Sequence, residues 1–170
     1  MAELETILPV RGVVPVDEMY GEDERETELL ERMHADAVRY VKSLDWCGGI
    51  YEDFYGYGVG GVAAVFFFRV DGRAVARDGW LWVIVGDIPP AYFPLPGIAT
   101  AAEALRAYLR EMGKWVALAR QGRRSEDLLR VNVPATPEWA EALAVRLKML
   151  QDTVLPVFPV HPPRRFRQHK

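Results

Sequence analysis

The chain has 170 residues, is 50% hydrophobic and carries a net charge of -3, enough material for one domain that builds its own core without a disulfide or a metal. A single cysteine, Cys47, excludes an intrachain disulfide and a cysteine-rich zinc site, and suits a reducing compartment. The start, MAELETILPV, has neither the basic nor the long apolar region of a signal peptide, and no run approaches the ~18 apolar residues of a membrane span, so the expectation is a soluble, cytoplasmic protein with no membrane contact.

Charge divides the chain. Residues 1–32 hold ten acids against three bases, whereas Arg164, Arg165, Arg167 and Lys170 follow Pro162-Pro163 as a basic end. The expected organisation is an acidic leader over 1–22, a single domain over 23–155 and a Pro/Arg-rich tail over 156–170. Charge runs are usually solvated faces, and four terminal bases on an acidic chain are weak grounds for nucleic-acid binding.

From about Asp23 to Asp45, apolar residues at Leu30, Met33, Ala37, Val38, Val41 and Leu44 follow the spacing of an amphipathic helix with an acidic first turn. Trp46 and Gly48-Gly49 stop it. Residues 50–61 alternate aromatics with glycines and predict a short or irregular strand. Two apolar runs follow, Val62 to Val70 and Trp80 to Ile88, rich in β-branched and aromatic residues, which predict an antiparallel hairpin turning near Asp71-Gly72. Neither alternates apolar with polar residues, so both faces of the hairpin must be covered, by helices, another sheet or a second subunit.

After the Pro-rich connection Ile88 to Gly97, Thr100-Ala101-Ala102-Glu103 fits a capping box opening a helix, with Leu105, Tyr108, Leu109, Met112, Trp115, Val116 and Ala119 as its apolar stripe. Leu128 to Val133 offers one more strand. Thr136-Pro137 then opens a last helix expected to bury Trp139, Leu143, Leu147, Leu150 and Val154. The fold class is therefore α+β, a small and mainly antiparallel sheet of three to four strands packed with three helices, in the order αβββα(β)α.

Few motifs carry chemistry. Gly56, Gly58 and Gly61 match G-x-G-x-x-G, but a strand follows where a dinucleotide site needs a helix, so turn or bulge glycines are expected. Glu31 and His34 give only half of a carboxylate-bridged metal motif. Cys47 has no histidine placed to activate it. These readings predict no catalytic residue, no metal site and no cofactor. Tyr51, Phe54, Tyr55 and Tyr57 alternate with glycines as a possible contact surface; core packing of half the rings is the plainer account. Asp87, set between Gly86 and Pro89-Pro90 beside Tyr92, is either a turn-capping acid or one that acts as a catalytic base or orients a ligand. Trp80, Trp82, Trp115 and Trp139 are expected as core anchors.

The segments WLWVIVGDIPPAYF (Trp80 to Phe93) and VNVPATPEWAEAL (Val131 to Leu143) resemble a small bacterial domain family of unknown function. The resemblance covers roughly Trp46 to Leu155, implies a bacterial cytosolic domain and transfers no site residue. The function expected from the sequence is a non-enzymatic binding or accessory protein acting through protein–protein contact or self-association, immunity-like in manner. Its rival is a small-molecule-binding domain or enzyme with a pocket around Asp87, Tyr92 and the Tyr51–Tyr57 loop; weak nucleic-acid association through the basic tail comes last.

Overall fold

The computed structural model describes residues 8–72 and 79–159. Among them the regular elements run β1 (Val14–Pro15), α1 (Glu24–Lys42), β2 (Cys47–Val59), β3 (Ala63–Gly72), β4 (Trp80–Gly86), β5 (Ala91–Pro94), α2 (Ala101–Ala119) and α3 (Pro137–Met149). The five strands form an antiparallel meander in the order β1-β2-β3-β4-β5.

Central strands β3 and β4 are buried on both faces, and the period of two sorts their side chains. Ala63, Val65, Phe67, Trp80, Trp82 and Ile84 pack with α2 and α3. Ala64, Phe66, Phe68, Val70, Leu81, Val83 and Val85 pack with Leu30, Met33, Ala37 and Val41 of α1. The chain's own helices thus cover both faces. That is why neither strand alternates in polarity: α1 and the α2–α3 pair each demand an apolar face. Trp82 fixes the layers further, its Nε1–H donating to the Ile98 carbonyl at 3.0 Å.

Helix ends follow the sequence chemistry. Asp23 accepts from the Glu26 amide at 2.7 Å, and Glu26 returns a carboxylate oxygen to the Glu22 amide at 2.9 Å. Thr100 accepts from the Glu103 amide at 3.2 Å while Glu103 accepts from the Ala99 amide at 2.7 Å, a capping box displaced by one residue. Thr136 caps α3, which continues as a π turn over Leu150–Val154 and a 3₁₀ turn over Leu155–Val157.

Three expectations need correction. The strand count is five, because β1 and β5 add to the sheet. Both are short edge strands carrying a proline, Pro15 and Pro94, a residue the sheet interior excludes and an edge accepts. The order consequently becomes βαββββαα. Leu128 to Val133 forms no strand: the segment emerges on the helical layer, where Leu128, Leu129, Val131 and Val133 are half-buried against the α2–α3 cluster. Trp139 is 48% exposed rather than buried, because it lies outside the buried arc of Ala140, Leu143 and Leu147, about 40° beyond its Leu143 edge.

The fold also engages residues on either side of positions 23–155, since Val10, Met19 and Phe158 are buried. Asp71 and Gly72, the expected hairpin turn, are instead the last paired residues of β3; residues 73–78 lie outside the described residues, as does the basic tail from residue 160 onward.

Candidate functional site

The six side chains singled out from the sequence occupy separate places. Phe54 and Tyr57 lie on the α2–α3 side of β2; Tyr57 meets the Phe158 ring at 4.7 Å. Tyr55 lies on the α1 side. The switch of face between Tyr55 and Tyr57 is made by a register shift at Gly56. Tyr51 is 64% exposed, with the Arg69 guanidinium 6.0 Å from its ring centroid. Tyr92, on β5, packs beside Trp46 at 5.3 Å. It ends a cross-strand row Tyr55–Phe66–Val83–Tyr92, so three inter-strand steps, about 14 Å, separate it from Tyr55. These rings do not surround one cavity.

Asp87 stands at the β4–β5 turn with its side chain 73% exposed. Its amide donates to the Val62 carbonyl at 3.0 Å, and its carboxylate meets Arg146 Nε of α3 at 3.3 Å. The acid therefore ties α3 to the end of the sheet. Gly86 before it has φ 152°, and a Cβ there would lie 2.2 Å from the Val62 carbonyl oxygen, so this turn requires glycine.

The G-x-G-x-x-G glycines serve packing. A Cβ at Gly56 would press on Ala101 at 2.9 Å, one at Gly58 on Ala64 at 2.7 Å, and Gly61 turns the chain at φ 77°. His34 pairs with Asp53 of β2, Nε2 to Oδ2 at 2.7 Å, beside the rings of Phe66 and Phe68; Glu31 is not its partner. Cys47 contacts the Gly49 carbonyl at 3.7 Å, six residues along β2 from Asp53. No group of three or more metal-ligating side chains gathers among the described residues.

Tyr55 and Tyr108 are buried and Tyr40 is half-buried. Tyr108 donates to the Pro89 carbonyl at 2.6 Å, and burial, reinforced by nearby Tyr40, raises its pKa above the usual value. Burial likewise raises Tyr40 and Tyr55, with Tyr92 and Tyr57 respectively adding to the effect.

The surface that sequence reasoning missed is the outer layer of α2 and α3. Six large hydrophobics are exposed among the described residues, and four of them are on or just after α3: Trp139 at 48%, Val145 at 69%, Met149 at 38% and Val157 at 54%. Trp139, Ala142, Val145 and Met149 recur every three or four residues on one side of the helix. The spacing was legible in the sequence, but assigning Trp139 to the core hid it.

On the other flank of α3 a groove of about 430 Å³ runs along α2. Leu109, Gly113, Val116, Ala144 and Leu147 form its apolar part, and Arg120, Lys148, Gln151 and Asp152 complete its lining. Gly113 sits inside α2, where glycine costs about 1 kcal/mol relative to alanine, yet a Cβ there would meet nothing within 4 Å.

Among the described residues no helix is long and apolar enough to cross a membrane. Comparison with protein-family models, curated proteins and solved structures gave no match.

Proposed function

We propose that the protein is a non-enzymatic binding protein that acts through protein–protein contact, with the outward face of α3 as its contact surface. The reading rests on one observation: a helix already buried on one side presents Trp139, Val145 and Met149 to solvent on the other. Unpaired apolar side chains grouped on a rigid element mark interaction surfaces, and aromatic anchors supply most of the binding energy in such surfaces. Arg146, held by Asp87, gives the patch the charged margin that interfaces carry. The bacterial, cytoplasmic setting and an accessory or immunity-like role belong to this proposal.

The test is quantitative co-purification with the wild-type chain and with Trp139→Ser/Met149→Ser as baits, alongside sedimentation equilibrium of each. The proposal expects either one partner in stoichiometric amount or a dimer, lost in the double variant. A monomeric wild type that retains the same proteins as the variant overturns it.

A further inference from the structure

We infer that the α2–α3 groove seats an acidic amphipathic α-helix of the partner protein, with the backbone of that helix packed against Gly113. This rests on the reading that the protein works by protein–protein contact.

Gly113 carries the first part of the argument. Gly56 and Gly58 of the sheet answer to intrachain contacts, with Ala101 and with Ala64. Gly113 answers to none. It weakens α2, it is exposed, and no neighbour lies within 4 Å of where its side chain would be. Its effect is outward: it leaves a gap in the groove lining between Leu109 and Val116, facing Ala144 and Leu147 across the groove. A side chain would fill that gap, and glycine lets a second backbone approach closely. A concave strip lined by apolar side chains between two helices is the kind of groove into which an amphipathic helix lays its apolar face.

Charge selects the occupant. The sheet separates two layers of opposite sign: residues 14–45, with α1, hold ten acids against four bases, whereas residues 101–159, with α2 and α3, hold nine bases against seven acids. One of those seven acids, Glu103, is engaged in the cap of α2. Beside the groove Arg110 and Lys114 share a single carboxylate, Glu111. Arg120 and Lys148 of the lining each have one acidic partner, Glu141 and Asp152, the latter also a lining residue. All four cations stay at least half exposed, so they can reorganise toward an incoming acidic side chain. The field over this layer favours acidic partners and disfavours basic ones.

The experiment selects binders to the wild-type chain from a randomised library of helical peptides, without constraint on charge. The selected peptides are then titrated by fluorescence anisotropy against wild type, Gly113→Leu and Trp139→Ser/Met149→Ser. The expected result is a set of acidic peptides whose affinity falls at least tenfold in Gly113→Leu and weakens with salt. Gly113→Leu should keep the far-UV circular dichroism and melting temperature of the wild type or exceed them, since leucine is the better helix former; Gly113→Ala serves as a milder second variant and should weaken binding less. Basic or neutral winners, peptides indifferent to Gly113→Leu, or failure to enrich any peptide overturn the inference. So does a single-stranded oligonucleotide that binds the same face in competition with the winners. Loss of partner capture in the α3 double variant alone, with Gly113→Leu capturing normally, rejects the groove and leaves the proposed function standing.

Discussion

Adjacent residues Phe66 and Phe67 point to opposite sides of β3 and are both fully buried. Phe66 packs 5.4 Å from His34 and 5.8 Å from Tyr55 under α1. Phe67 stacks 4.8 Å from Trp80 and meets Trp82 at 4.7 Å under α2. Truncating a buried phenylalanine costs about 3–5 kcal/mol, and for a chain of this size each kcal/mol lowers the melting temperature by roughly 2–4 °C. Phe66→Ala and Phe67→Ala should therefore each melt roughly 6–20 °C below wild type, with Tyr51→Ala, on an exposed side chain, within about 0.5 kcal/mol of it. Thermal and urea unfolding followed by circular dichroism reads both effects. A cost below about 1 kcal/mol at either phenylalanine would refute the two-sided core.

Gly86→Ala should destabilise by about 1–3 kcal/mol, because alanine meets the Val62 carbonyl at a positive φ; equal stability in urea would mean that the turn relaxes freely. Thr100→Ala should cost about 1 kcal/mol by removing the α2 cap, read by the same unfolding curves. The buried phenols make stability fall at high pH. Tyr40, Tyr55 and Tyr108 have raised pKa values in the fold, so the unfolded state releases their protons first, and their contribution, complete below pH ~10, is lost as pH rises further. Their phenolate absorbance should appear together with loss of circular dichroism; phenolate signal from them in a folded protein would contradict the burial.

Much of the fold was legible in the sequence because its signals were local and agreed with one another. Asp23, Thr100 and Thr136 are each followed by the amide they cap, and the unbroken apolar runs of β3 and β4 required two covered faces. What was hidden depended on tertiary context. β1 and β5 contain prolines and are only two and four residues long, so they exist as strands only because a longer neighbour pairs with them. Leu128 to Val133 has the composition of a strand, yet its burial comes from the helical layer. At the site, composition drew attention to Tyr51, Phe54, Tyr55 and Tyr57, whose rings the bulge at Gly56 distributes over both faces of β2. Trp139 was concealed by its own chemistry, because a tryptophan on an apolar helix reads as core. Gly113 gave no signal, since its meaning lies in the empty space beside it.

Isothermal titration of the purified partner into wild type and into Trp139→Ser/Met149→Ser tests the binding role most directly. Two side chains at the centre of an interface are each worth about 2 kcal/mol or more, so the account predicts binding weakened by roughly 1,000-fold in the double variant, with its melting temperature within a few degrees of wild type. Equal affinity for the two proteins would contradict it.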